Sequence, residues 1–156
     1  MTENATDIEY YKALESMISA KGLTGRVRIT GYLGKRDIPD VMAATDICIA
    51  PFVSTAASGV LSLSIGYRKP IVASDISVHR EINGRIPCLE LFKNGDRKDL
   101  LQKIAGLLGD SKRMKTLSDA ATAYSRQYSY ANTAKTTIRL YEDLLSAGRM
   151  NDTKQG

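Results

Sequence analysis

The stretch Ile47-Cys48-Ile49-Ala50-Pro51 decides the fold prediction, because it is continuously apolar and rich in β-branched residues. Such a run is typical of a strand that is buried on both faces of a parallel sheet. Small residues follow, from Ser54 to Gly59, and lead into the segment from Val60 to Tyr67, which is expected to be helical. A second apolar run, Pro70 to Ala73, predicts the next strand. This order of elements indicates a parallel sheet with right-handed crossover helices.

The residues before this stretch predict further elements. Thr6 and Glu9 have the spacing of a capping box, so a helix is expected to begin there, and Gly22 supplies the left-handed residue that commonly ends a helix. Alternating polar and apolar residues from Val27 to Thr30 predict a strand. A short helix with Pro39 in its first turn is then expected before the central run.

The residues after it complete an α/β pattern. Cys88 to Leu91 is a fourth strand candidate, and apolar residues at helical spacing predict three closing helices, around residues 100–108, 114–124 and 138–145. The fold class is therefore α/β, a Rossmann-like, mostly parallel sheet with flanking helices. We expect one domain over residues 1–148 and a disordered polar tail over residues 149–156.

Composition limits the classes of function. The 156 residues are 43% hydrophobic and 25% charged, with a formal net charge of +5, and the basic residues are mixed with acids. This argues against a nucleic-acid partner. The sequence has no apolar run long enough for a transmembrane segment and no leader, so a cytoplasmic protein is expected, with peripheral membrane contact left open. Cys48 and Cys88 are interpreted as reduced core residues.

One loop is a candidate binding site. Ala57-Ser58-Gly59-Val60 joins a predicted strand to a predicted helix, and its small side chains would let phosphate oxygens approach the backbone N–H groups. A simple helix cap is the competing interpretation. The only histidine, His79, is interpreted as a surface or loop residue, and Glu81 as an exposed acid after a strand. No cluster with metal-ligand spacing occurs, so no metal site is expected.

Several segments together resemble a known family. They are Val27 to Tyr32, Ala43 to Pro51, Lys69 to Asp75 with the following Glu81, and Tyr128-Ser129-Tyr130. In order and spacing they are similar to the carboxyl-terminal domain of the family 4-like retaining glycosyltransferases, the glycosyl transferases group 1, which have the GT-B fold. The resemblance extends from about Tyr10 to Leu145.

The resemblance implies a function and a set of site residues. It implies that the domain binds a nucleotide-diphosphate sugar for transfer of a hexosyl group, without a cofactor or metal. The donor and its phosphates would contact the loop and helix start, namely Thr55, Ala57, Ser58, Gly59 and Val60. The base and ribose pocket would be lined by Tyr32, Pro51, Phe52 and Leu63. Catalytic residues are not identified.

The sequence departs from the family pattern in two ways. The family usually has two glutamates eight positions apart, but Thr55 and Leu63 occupy those positions, and Arg68 stands where glycine is common. The family domain also opens with two strands and a helix before the helix expected at Thr6, and these have no counterpart here. The acceptor-binding domain is likewise missing.

Two functions from different classes remain open. The first is the carboxyl-terminal half of a glycosyltransferase, as a fragment or as a subunit of a split enzyme, inactive by itself. The second is a non-catalytic nucleotide-binding or interaction module on the same scaffold. Expected partners are a nucleotide sugar and either the missing amino-terminal half or another chain, with a homo-oligomer left open. Either the strands at Val27 and Ile47 pair directly, or another chain adds strands between them, which we favour.

Overall fold

The computed structural model describes residues 5–54 and 59–152. In those ranges there are seven helices and three strands. In chain order they are α1 (Ala5–Ala20), α2 (Ile38–Ala43), β1 (Cys48–Ala50), α3 (Gly59–Gly66), β2 (Ile71–Ser74), α4 (Ser77–Arg85), β3 (Leu89–Phe92), α5 (Arg97–Leu108), α6 (Ser111–Gln127) and α7 (Tyr130–Asp152). The chain divides into two compact units, Met1–Pro39 and Asp40–Gly156, and this boundary falls inside the expected single domain.

In the first unit, the end of α1 follows its sequence prediction. Gly22 has a φ of 64°. Its N–H donates to the Ser19 carbonyl at 2.9 Å, and the Leu23 N–H donates to the Ile18 carbonyl at 2.9 Å. These two bonds form a Schellman motif, which satisfies carbonyls that the last helical turn leaves free. Gly22 is therefore the left-handed residue that the sequence indicated.

The strand expected from Val27 to Thr30 is not formed, and this prediction was wrong. The Val27 N–H instead donates to the Leu23 carbonyl at 2.9 Å in a turn. A strand is defined by its ladder of hydrogen bonds to a neighbour. The sheet in the described residues consists of β1, β2 and β3, so an alternating pattern at residues 27–30 has no ladder there.

In the second unit, the three strands are parallel and lie in the order β1-β2-β3. Ile71 lies opposite both Cys48 and Leu89, which fixes the register. All four residues of β2 are buried. In β1, by contrast, Ile49 is 43% exposed, so the expectation of burial on both faces was wrong for this strand. The described residues provide β1 with a neighbour only on its β2 side.

Helices cover both faces of the sheet. On one face, strand residues pack against α3 and α6; this cluster contains Ala50, Leu61, Ile65, Ile71, Ala73, Cys88, Leu89 and Ala121. On the other face, they pack mainly against α5 and α6; this cluster contains Val72, Phe92, Leu107 and Leu117. Burial of one large aliphatic side chain contributes about 1.5–3 kcal/mol. The predicted α/β class with a parallel sheet and flanking helices is confirmed.

Two helices differ from the sequence predictions. Helix α4 was missed, because Ile76 occupies its N-cap position and no side chain caps the helix. In the structure, Asp96 and Asp110 cap α5 and α6 with their carboxylates, whereas α4 has no such side chain. Helix α7 extends to Asp152, so it includes part of the expected tail. Residues 153–156 lie outside the described ranges.

Candidate functional site

The candidate site lies at the carboxyl end of the parallel sheet. Strand β1 ends at Ala50 and β2 at Ser74, and helices α3 and α4 begin after them. Because the strands are parallel, these ends meet at one edge of the sheet. In open α/β sheets this edge is where ligands bind, since helix N-termini present unpaired N–H groups there.

Two side chains hold the segment that follows β1. The Ser74 hydroxyl donates to the Phe52 carbonyl at 2.5 Å, and the Asn94 side-chain amide donates to the Val53 carbonyl at 3.0 Å. Ser74 is fully buried. The start of the loop toward α3 is therefore tied to residues at the ends of β2 and β3, although Ser74 and Asn94 were not among the predicted site residues. The signal available in the sequence was their position directly after apolar runs.

His79 is part of the same support and is not the surface or loop residue that the sequence suggested. It lies in the first turn of α4 and is completely buried. Its Nδ1 is 2.7 Å from the Ser74 carbonyl, and because a carbonyl only accepts, Nδ1 carries the hydrogen. The Phe52 ring meets the imidazole edge-on, with centroids 6.2 Å apart. Nε2 is the one buried side-chain polar atom in the described ranges that has no hydrogen-bond partner.

Helix α3 opens at Gly59, as the sequence predicted to within one residue. Among the described residues, none has a heavy atom within 4 Å of a Cβ atom added at Gly59, so they leave the helix start open on that side. Val60 is 58% and Leu63 is 38% exposed, while Leu61 is buried and anchors the helix in the core. The predicted contacts Thr55, Ala57 and Ser58 lie outside the described residues.

The residues predicted for the base and ribose pocket lie in different parts of the chain. Pro51 is exposed directly after β1, and Phe52 is half-buried against the core and His79. Tyr32 belongs to the first unit, Met1–Pro39, and is 85% exposed. Their role in nucleotide binding stays a prediction.

Two acidic residues described near this edge, Asp75 and Glu81, are paired with arginines, Asp75 with Arg80 at 3.0 Å. Glu81, expected to be an exposed acid, lies on α4 with its side chain 64% exposed and pairs with Arg85 at 2.6 Å. Within residues 5–54 and 59–152, no group of three or more His, Cys, Asp or Glu side chains is arranged to hold a metal ion.

None of the helices in the described ranges is both long and apolar enough to cross a membrane.

The sequence matches one family model over most of its length. Residues 5–110 match the family described as Glycosyl transferases group 1. A search among curated proteins found no match.

The fold is similar to that of several solved structures. Alr3699/HepE from Anabaena, in complex with UDP, has a TM-score of 0.76 and 23% identity, covering 92% of this chain and 38% of its own. Sucrose-phosphate synthase from Thermosynechococcus elongatus has a TM-score of 0.74 and 18% identity, covering 87% and 34%. The C-terminal domain of the group 1 protein LpcC from Francisella tularensis has a TM-score of 0.69 and 17% identity, covering 80% and 65%.

The aligned region is a large share of this chain but a smaller share of each similar structure. The chain spans about a third of the length of the first two structures and 65% of the isolated LpcC domain. Its fold therefore corresponds to one portion of those longer proteins.

Proposed function

The chain belongs to the glycosyl transferases group 1 family, and on this premise we propose that it is the donor-binding, carboxyl-terminal domain of a glycosyltransferase. Its substrate would be a nucleoside diphosphate hexose, held at the carboxyl end of the sheet. Alr3699/HepE, which has a similar fold, was solved with UDP and with UDP-glucose. Uridine nucleotides are therefore the first ligands to test. Acceptor binding would need a second domain.

The observation that carries this proposal is the start of α3. Gly59 opens the helix after β1 and the connecting loop, and in the part of the chain that the structure describes no heavy atom lies within 4 Å of the position where its Cβ would be. A helix N-terminus attracts anions through its unpaired N–H groups and its dipole. A diphosphate placed there would be stabilised without a metal ion, in line with the expectation that no cofactor is needed.

The support beneath this loop would keep the site in shape. Ser74 and Asn94 hold the segment after β1 through hydrogen bonds of 2.5 and 3.0 Å, and His79 contacts the Ser74 carbonyl at 2.7 Å and packs against the Phe52 ring. Preorganised donors cost no rearrangement when an anion binds, so fixed backbone geometry favours affinity. Pro51, Phe52 and Leu63 would then line the nucleoside side, with Leu63 giving apolar contact where the family usually has a carboxylate.

The proposal is tested by replacing Gly59 with aspartate. Gly59→Asp adds a negative charge where the phosphates would lie, while an acid in the first turn is favourable for the helix itself. We expect the variant to fold with an unchanged melting temperature and to bind UDP and UDP-glucose at least tenfold more weakly by calorimetry. Gly84→Asp is the matched control, because Gly84 is also helical and its Cβ position is also open.

Three outcomes are informative. Loss of nucleotide binding in Gly59→Asp alone supports a phosphate site at the start of α3. Equal binding by both variants and the parent chain contradicts it. If none of UDP-, GDP- and ADP-sugars raises the melting temperature of the parent chain, donor binding itself is rejected, because a ligand of the folded state must stabilise it.

A second candidate is a nucleotide-binding or interaction module without transferase activity. It is favoured by one observation, the aliphatic and partly exposed Leu63 at a position where the family places a glutamate. An interaction module would not bind the nucleotide, so the binding assay separates it, whereas a nucleotide-binding module is separated from the enzyme by turnover. We expect no sugar transfer from the chain alone, and restored transfer after mixing with an amino-terminal half would identify the enzyme.

A further inference from the structure

The end of α3 has an unusual backbone. Arg68 has a φ of 59° and is the only non-glycine residue with positive φ in the described part of the chain. Its N–H donates to the Ile65 carbonyl at 2.9 Å, and the Lys69 N–H donates to the Ser64 carbonyl at 3.1 Å. These bonds make a Schellman motif in which Arg68 is the left-handed residue.

The end of α1 provides an internal reference. The same pair of bonds closes α1, and there the left-handed residue is Gly22, with a φ of 64°. Glycine is usual at this position because a Cβ atom is disfavoured in the left-handed region. The Cβ atom of Arg68 therefore raises the conformational energy of the backbone at this position.

Helix α6 fixes this strained residue. The Ser118 hydroxyl donates to the Arg68 carbonyl at 2.7 Å. Strained conformations of this kind persist when surrounding contacts determine them, and they are concentrated at functional positions. Both the left-handed backbone at this position and the presence of an arginine instead of a glycine therefore need a physical reason.

Arg68 lies in a basic concave surface. This surface has a volume of about 420 Å³ and is lined in part by Thr45, Asp46, Arg68, Lys69, Lys115 and Ser118. It lies at the amino ends of β1 and β2, opposite the edge at which α3 begins. It is therefore separate from the proposed donor site.

The charges of the lining residues leave one cation free. The Lys115 ammonium pairs with Asp119 at 2.6 Å, and the Lys69 ammonium donates to the Ala43 carbonyl at 3.4 Å. Among the described residues Arg68 has no ion-pair partner. Counting Asp119 as the partner of Lys115, three cations stand against two acids, Asp46 and Asp119, so the surface keeps a positive balance.

We propose that this basic surface binds a phosphate-bearing anion through the Arg68 guanidinium, with Lys69 and Lys115 adding attraction. A guanidinium presents two parallel N–H groups to two phosphate oxygens, which an ammonium does not. The lining hydroxyls cannot replace it, because the Thr45 and Ser118 hydroxyls already donate to the Val41 and Arg68 carbonyls. The anion could be a soluble phosphate or a lipid headgroup, which have the same chemistry.

The competing explanation is electrostatic support of α3. Cations near a helix C-terminus interact favourably with its dipole, and this requires no ligand. In that case removing the Arg68 side chain changes stability and leaves anion binding as it was. The two explanations therefore differ in what Arg68→Gly does.

The test uses the full chain with Arg68→Gly, Arg68→Lys and the control Arg139→Gln, which removes one exposed charge from α7. Arg68→Gly relieves the left-handed strain, so the variant is expected to fold and to melt no lower than the parent chain. Binding is followed by amide chemical shifts of Lys69 and Ser118 during addition of inorganic phosphate. Shifts at Gly59 and Val60 report the donor site separately. Co-sedimentation with phosphatidylglycerol and phosphatidylcholine vesicles tests the lipid source.

We expect phosphate affinity at Lys69 and Ser118 to fall at least tenfold in Arg68→Gly, to fall less in Arg68→Lys, and to be unchanged in Arg139→Gln. Phosphate shifts in the parent chain identify a soluble ligand. Co-sedimentation with phosphatidylglycerol alone, lost in Arg68→Gly, identifies a lipid headgroup. Parent-like binding by Arg68→Gly overturns the proposal, as does a parent chain that binds neither phosphate nor anionic vesicles.

Discussion

Strands β1 and β2 are both short apolar runs, but they have different environments. Ile71 in β2 is completely buried between two neighbouring strands, whereas Ile49 in β1 is 43% exposed. The two residues are chemically identical and lie in adjacent, parallel strands. The comparison shows that strand order and helix coverage, and not apolar composition, decide how much a residue contributes to the core.

The comparison also matters for the proposed donor site. The loop to α3 leaves the sheet from β1, the strand with less support, and is held by Ser74 at the end of β2 and by Asn94 after β3. The buried central strand therefore supports the loop after β1, which would face the ligand in the proposed donor site. An open β1 edge is also where strand addition by another chain would occur.

The largest expected contrast is in thiol reactivity. Cys48 in β1 is partly exposed, while Cys88, directly before β3, is buried, and burial raises the pKa of the Cys88 thiol to about 11. Since the thiolate is the reactive form, only about one thousandth of Cys88 is reactive at pH 8. We expect a thiol reagent to label the partly exposed Cys48 at least about a hundredfold faster than Cys88 in the native protein. Equal rates, measured by peptide mass spectrometry, would show that the core opens readily.

Truncation of the two isoleucines tests the comparison directly. Ile71→Ala should lower the free energy of unfolding by about 2–5 kcal/mol, because it leaves a cavity in a fully packed site. Ile49→Ala should lower it by about 1 kcal/mol or less, because part of that side chain is already in water. Urea unfolding of both variants gives the two values. A loss at Ile49 as large as that at Ile71 would show that another chain covers the β1 edge in solution.

The smallest expected effect concerns β3, the other outer strand. Burial alone would raise the pKa of Glu90, but hydrogen bonds and charges from Arg113 at 2.8 Å and Lys103 at 3.0 Å outweigh it, and the pKa is lowered. A carboxyl whose pKa is lower in the folded state stabilises the fold above its unfolded pKa, near 4.3, and loses that contribution as the pH falls through the folded value.

Glu90→Gln should therefore cost about 1–2 kcal/mol at pH 7 and progressively less below pH 4. Unfolding free energies measured from pH 7 to pH 3 provide the check. Parallel pH curves for the variant and the parent chain would mean that the ion pairs contribute nothing to stability.

The candidate site was predictable only in outline. The strand, small-residue loop and helix order located Gly59 and Val60 at a helix start, since these features follow from local sequence. His79 and Ser74 were missed, because their burial comes from the packing of α4 against the strands and from contacts with Phe52. A missing N-cap side chain hid α4, and hydrogen bonds between residues distant in sequence leave no local pattern.

The sequence by itself determined the elements whose signals are local, namely α5 and α6 from their apolar spacing, the glycine that ends α1, and the apolar runs that form the sheet. It did not determine which run is central. Val27–Thr30 has a strand pattern but no strand, Ile49 is exposed, and Arg68 adopts a conformation suited to glycine. The tertiary structure decided these three, because a strand needs a neighbour, burial needs a covering helix, and a strained residue needs contacts that hold it.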